Sequence, residues 1–163
     1  MSLFNRRTLL LMPFALAACG FEPVYAPGGS GAALNGQVAV SAPKSVDSYM
    51  LVQNLEQRLG RSATSGSEYN LDVNVSTAFR AAAITTTNET NRYTIEGSAN
   101  YALRSNATGQ VIASGTVNNF VGYSAAGSTV STLADERDAR ERLMVILSDQ
   151  IIAELYAAPG LGT

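Results

Sequence analysis

Tyr69-Asn70-Leu71-Asp72-Val73-Asn74-Val75-Ser76 alternates apolar and polar residues along its whole length. Successive side chains of a strand point to opposite faces. Tyr69, Leu71, Val73 and Val75 therefore share one face, and Asn70, Asp72, Asn74 and Ser76 share the other. One side is buried and one is wet, as in an antiparallel sheet covered on a single face. The alternation continues toward Phe79. Arg92 to Arg104 repeats the pattern, with Tyr93, Ile95, Gly97, Ala99, Tyr101 and Leu103 on one face and Thr94, Glu96, Ser98 and Asn100 on the other. Thr85 to Asn91 between them is polar and turn-like. Ser105-Asn106-Ala107-Thr108-Gly109 reads as a hairpin loop, and Val111 to Phe120 pairs back as a third long strand. The phase of that strand is open, because Val111, Ala113, Gly115 and Val117 compete with Ile112 and Phe120.

Outward from these strands, Gln37-Val38-Ala39-Val40-Ser41 reads as a short first strand that stops before Pro43. Asp47 or Ser48 is expected to cap a helix over Tyr49 to Leu59, where Val52, Leu55 and Leu59 share a face and Leu51 flanks it. Gly60 follows at the position that glycine favours after a helix end. Arg61 to Ser67 is a polar loop. At the other end, Tyr123 to Thr129 is a loop of small residues, and Thr132 with Asp135 resembles a capping box. A last helix is expected from Leu133 to Tyr156, with Ala139, Leu143, Leu147, Ile151 and Leu155 recurring every four residues. Its acidic start, Asp135, Glu136 and Asp138, suits the positive end of the helix dipole. Glu136 with Arg140, and Asp138 with Arg142, are i,i+4 pairs. The order is β-α-β-β-β-α. Two amphipathic helices on one face of a four-stranded, mostly antiparallel sheet make an α+β two-layer sandwich.

The N-terminus reads as an address. Arg6 and Arg7 precede an apolar run from Leu9 to Leu16, and Leu16-Ala17-Ala18-Cys19 closes it. The run is about eight to ten residues, short of the roughly 20 that a spanning helix needs. Charge, length, small residues and cysteine together read as a lipoprotein signal peptide over 1–18, cut before Cys19. Cys19 then carries the lipid, and stable anchoring takes about two acyl chains. Gly20 at the next position, where Asp would signal retention, implies sorting to the outer membrane. Residues 19–36 read as a lipidated flexible tether containing Pro23, Pro27 and several glycines. The domain is expected over 37–157, and 158–163 as a disordered tail.

The chain of 163 residues has 11 basic and 13 acidic side chains. Loss of Arg6 and Arg7 leaves 9 minus 13, or −4, on the mature protein. That balance does not suit a nucleic-acid binder, which carries a basic stripe. There is no histidine, and Cys19 is the only thiol. Cys/His zinc sites, a Ser-His-Asp triad and a Cys-His pair are excluded. Gly28-Gly29-Ser30-Gly31 precedes no Lys-Ser or Lys-Thr, so it is no phosphate loop. Glu68, Asp72, Glu89 and Glu96 lie on or near strands, but no spacing makes two of them converge. A protein without catalytic role or cofactor is expected.

Three pieces of the chain point to a family. They are Cys19-Gly20-Phe21-Glu22-Pro23-Val24-Tyr25, Thr87-Asn88-Glu89-Thr90-Asn91-Arg92-Tyr93 leading into the second long strand, and the final helix with Glu136-Arg137-Asp138-Ala139 and Ser148-Asp149-Gln150-Ile151. In these, and in its element order, the chain resembles the LptE family of lipopolysaccharide-assembly lipoproteins, in its alphaproteobacterial form. The resemblance implies a plug and assembly partner for the outer-membrane β-barrel LptD, acting in placement of lipopolysaccharide in the outer leaflet. The alternative is an accessory lipoprotein of a lipid-trafficking ABC transporter. Lipopolysaccharide is anionic, so a surface that binds it should offer Arg or Lys to phosphate. Lys44 is the only lysine. Arg80 and Arg92, which flank Ala81 to Asn91, are the candidate ligands, and they also read as ordinary strand-end charges.

Overall fold

A computed structural model describes residues 24–25, 27–60, 67–84, 90–159 and 161. Cys19, the signal peptide, most of the 61–67 loop and the 85–89 turn lie outside them. The elements are α1 (Ser30–Leu34), β1 (Val38–Val40), α2 (Val46–Leu59), β2 (Tyr69–Ile84), β3 (Thr90–Ser105), β4 (Val111–Ser124) and α3 (Thr129–Ala157). The strands form one sheet in the order β1-β2-β3-β4. β1 runs parallel to β2, and the other pairs are antiparallel. A parallel pair needs a crossover, and α2 supplies it. The fold is the expected α+β sandwich with one additional short helix.

The core lies between the sheet and the two long helices. Leu71, Ile95, Ala99 and Leu103 of the strands, Leu51, Leu55 and Leu59 of α2, and Ala139, Leu143, Leu147, Ile151 and Leu155 of α3 are fully buried. The four-residue column read from the last helix is thus its inner face. Gly97 sits where this face comes nearest: a Cβ there would meet Leu143 Cδ2 and Leu147 Cδ1 at 3.0 Å. The helix can settle on β3 only because that side chain is missing.

The open phase of the third long strand has a structural cause. Leu103 pairs with Ala113 while Arg104 pairs with Val111, so Ile112 is an extra residue. Such a bulge swaps the parity of the strand. Ile112 and Ala113 both pack on the core. Beyond them Val117, Val121 and Tyr123 are buried, and Phe120 is 67% exposed.

Several boundaries move. Ser45, not Asp47 or Ser48, caps α2: its Oγ accepts from Ser48 N–H, and Ser48 Oγ accepts from Ser45 N–H at 2.8 Å. α3 starts one turn before the Thr132–Asp135 box, because Ser128 Oγ accepts from Ser131 N–H. β2 and β3 run on past Phe79 and start before Arg92, with the register slipping beside Ala82.

The tether is corrected from Ser30 onward. Leu34 is fully buried, and the helix it ends is pinned to the far terminus. Ser30 Oγ donates to the Tyr156 carbonyl at 2.6 Å. Gly31 N–H donates to the Val24 carbonyl at 3.0 Å, and a Cβ on Gly31 would meet Val24 Cγ1 at 2.7 Å. Tyr25 and Tyr156 meet edge to face with their hydroxyls 3.1 Å apart. The expected tail is corrected in the same sense, since Leu161 is buried in the core. In both places one leucine provides apolar area that outweighs glycine-rich flanks.

Candidate functional site

Among the described residues the helices cover one face of the sheet and leave the other open. Cross-strand register arranges that open face in rows. Ser76, Ser98 and Asn118 form one row; Ala78, Glu96 and Phe120 the next; Arg80, Thr94 and Gly122 the third; Arg92 and Ser124 follow. Rows on one face are about 6.8 Å apart, two residues along a strand. The small Ala78 and Gly122 leave the Phe120 ring standing above its neighbours. Around it the face dips into a concavity of about 520 Å³ lined by Ser76, Glu96, Ser98, Asn118 and Phe120 among others. Thr116 Oγ1 donates to Asn100 Oδ1 at 2.6 Å farther along. Besides charged residues such as Arg80, Glu96, Asp72 and Arg104, the surface is one of hydroxyls and amides with a single raised aromatic, able to hydrogen-bond broadly and to stack once.

Both candidate arginines stand on this face, at the end of the β2–β3 ribbon. Arg80 Nε lies 2.7 Å from Glu96 Oε2. The hydrogen bond to Glu96 and its negative charge hold the guanidinium pKa above the ordinary arginine value. Arg92 is exposed one row beyond Arg80. The two are therefore brought together, with a carboxylate already competing for one of them.

The carboxylates considered for catalysis are kept apart. Asp72 faces Arg104 at 3.5 Å. It stands six residues along β2 from Ala78, the residue opposite Glu96, which is about 20 Å. Glu89 lies outside the described residues. Among those described, no three Asp, Glu, Cys or His side chains cluster as metal ligands.

A polar cluster only partly legible in the local sequence joins three elements on the helix side. Asp47, at the start of α2, accepts from Thr77 Oγ1 at 2.7 Å and from Arg140 Nη1 at 3.3 Å. Arg140 also bonds Glu136 at 2.9 Å, and its guanidinium lies 4.7 Å from the centre of the Phe79 ring. Burial pulls the Arg140 pKa down, but Glu136 and Asp47 outweigh it and the net shift is upward. The i,i+4 pairing of Glu136 and Arg140 is legible in the sequence; Asp47 and Thr77 are remote from it and leave no signal. Nearby, Tyr93 and Tyr123 stack at 5.6 Å. Among the described residues no helix is long and apolar enough to cross a membrane.

Comparison with known proteins adds a family. The LptE model, described as lipopolysaccharide-assembly, matches residues 36–155. Among solved structures, a Caulobacter crescentus lipoprotein is 21% identical with a TM-score of 0.66, covering 81% of this chain and 96% of that one. Lipoprotein B of Nitrosomonas europaea is 14% identical with a TM-score of 0.58, covering 87% and 95%. The rare lipoprotein B of Shewanella oneidensis is 10% identical with a TM-score of 0.54, covering 74% and 92%. At these identities the structures speak for the fold. No curated protein sequence matches.

Proposed function

The chain belongs to the LptE lipopolysaccharide-assembly family, and from that premise we propose that it is the plug and assembly partner of an LptD-type outer-membrane β-barrel, working in delivery of lipopolysaccharide to the outer leaflet. The observation that carries this reading is the open sheet face. An uncovered face of this size, rich in serine, threonine and asparagine, suits the polar interior of a large barrel. A contact of that kind is large and permanent. The activity is one of binding and assembly, without a bond made or broken.

Cys19 carries the lipid in this proposal. It precedes Tyr25 by six residues, so at most about 21 Å of chain separates it from the Tyr25–Tyr156 contact. The anchor therefore attaches within that reach of the C-terminal end of α3. Arg80 and Arg92 stand at the opposite end of the ribbon and are the proposed ligands for lipopolysaccharide phosphates.

The test is an affinity purification of the full-length lipoprotein from detergent-extracted membranes, with depletion in parallel. A large β-barrel should co-purify, and depletion should lower surface lipopolysaccharide. Recovery as a free monomer, with surface lipopolysaccharide unchanged on depletion, rejects the proposal. Recovery with components of an inner-membrane transporter points instead to the ABC-transporter alternative.

A further inference from the structure

Among the described residues β4 is an edge strand with β3 on one side only. Over its 14 residues it holds no charged side chain and no proline. Soluble proteins guard long edges with charges, prolines or bulges, since a bare edge pairs with any extended chain. On the opposite edge the short β1 covers Tyr69 to Leu71 of β2, and beyond it Ser41 Oγ accepts from Val73 N–H at 3.2 Å. On β4 the Ile112 bulge lies near the start, and the remainder runs regularly to Ser124.

The direction of the edge groups can be read. Phe120 N–H bonds to the Asn119 side chain at 2.8 Å, so it points away from β3. By the two-residue alternation of a strand, the N–H and C=O groups of Ser114, Thr116 and Asn118 point outward as well. Beside them lies a groove of about 360 Å³ formed by Thr116, Val117 and Asn118 with Gln150, Ala153 and Glu154 of α3. The Gln150 side-chain oxygen is buried and has no hydrogen-bond partner among the described residues. A buried acceptor without a donor is unfavourable. A free strand edge and an orphaned acceptor thus border one groove, and both are satisfied by the backbone of an extended peptide.

We propose that the β4 edge binds one extended segment of the partner protein as a fifth strand, paired over Ser114 to Asn118 and covered on one side by Gln150, Ala153 and Glu154. A second copy of this chain does not fit the same place. α3 packs on β4 and, at Gly97, on β3, and antiparallel pairing of two β4 strands about 5 Å apart would crowd both copies of α3 together on one face. Packed helices need about 8–10 Å. The occupant is therefore a strand without a covering helix of its own. Its source is the barrel partner proposed above, and the inference rests on that reading for the partner's identity.

Proline at an outward position removes one edge donor and spares the ladder to β3. The experiment compares full-length wild type with Ser114→Pro and Ser114→Ala, each purified from detergent-extracted membranes; Ser114 is exposed, has the same outward parity and lies outside the concavity around Phe120. Ser114→Pro should lower the recovered barrel at least tenfold with its melting temperature kept, and Ser114→Ala should lower it less than twofold. Wild-type yield with Ser114→Pro overturns the edge inference, whereas absence of a barrel from the wild type overturns the function reading first. A benzophenone cross-linker in place of Ala153 gives a second readout should Ser114→Pro not fold. It should label the barrel; labelling of a second copy of this chain, or no labelling, overturns the proposal.

Discussion

Arg80 and Glu96 form a diagonal ion pair across β2 and β3, Nε to Oε2 at 2.7 Å, on the face that the helices leave bare. Exposed pairs of this kind contribute only about 0–1 kcal/mol. The bond between arginine and phosphate is stronger and can be bidentate. A phosphate approaching this face therefore competes with Glu96 on favourable terms. Glu96→Gln should tighten binding of purified lipopolysaccharide to the lipid-free domain by about threefold to tenfold, or roughly 0.7–1.4 kcal/mol. Arg80→Ala and Arg92→Ala should weaken it, more at low salt than at high salt. Titration calorimetry at two salt concentrations measures all three. Identical affinities across the set would place the phosphates elsewhere.

A second prediction concerns the cluster around Arg140. Asp47 is only 13% exposed and Arg140 30%. Removal of the guanidinium leaves a half-hidden carboxylate with Thr77 as its remaining neutral donor. Full burial would make this cost about 3–5 kcal/mol; partial exposure lowers the expected cost of Arg140→Met to about 1–3 kcal/mol. The double variant Asp47→Ala, Arg140→Met should be less destabilised than the two single changes added together, with coupling of about 0.5–3 kcal/mol. Urea unfolding of the four proteins completes the cycle, and additivity would mean that the pair does not couple α2 to α3.

What is legible in the sequence follows from periodicity. The odd-numbered residues of β3 and the four-residue column of α3 are determined by local geometry, so spacing alone places Ile95, Ala99, Leu103, Leu143 and Leu147 inside. β4 resists because one extra residue at Ile112 reverses inside and outside within a single strand. Phe120 is consequently ambiguous in the sequence, and in the fold it is the raised aromatic of the open face. The Arg80–Glu96 pair depends on the register between strands, and the Asp47–Arg140 contact spans 93 residues. Neither quantity is written in a local pattern. The helix Ser30–Leu34 is hidden for another reason. Five residues with a glycine near the start have little helix propensity, and packing of Leu34, not local preference, holds them.

A third prediction tests the close approach at Gly97. Gly97→Val places branched methyls against Leu143 and Leu147, whose ends already lie 3.0 Å from an ideal Cβ. Overpacking of this kind costs about 1–3 kcal/mol. Leu147→Ala, on the other side of the same contact, should cost about 2–5 kcal/mol by loss of buried area and an incompletely closed cavity. Combined, the two changes should partly compensate, since the valine fills space that the alanine leaves. Chemical denaturation resolves this, and a double variant no better than the sum would show that α3 shifts on the sheet and does not accept the new side chain.

Tyr101 supplies a prediction in pH. Its ring is buried on β3, and its hydroxyl donates to Glu154 Oε2 at 2.5 Å. Gly115 opposite leaves room for this bond, since a Cβ there would come within 2.9 Å of both the Tyr101 ring and Glu154. Burial first, then the hydrogen bond and charge of Glu154, push the phenol pKa well above its usual value. The unfolded chain ionises near pH 10. Below that pH both states keep the proton and the full stabilisation is present. Above it the unfolded state loses its proton first, and stability falls by up to about 1.4 kcal/mol per pH unit for this one group until the folded pKa is reached. Burial acts in the same direction on Tyr156 and Tyr123, so the wild type should lose stability steeply in alkali. Tyr101→Phe sacrifices the hydrogen bond, at a cost of about 1–3 kcal/mol near neutrality, but removes one proton from the alkaline slope. The stability gap between wild type and variant should therefore narrow from pH 9 to pH 11.5 in urea titrations. A gap that stays constant would mean that the folded protein does not hold Tyr101 neutral, and that Glu154 is not its partner in solution.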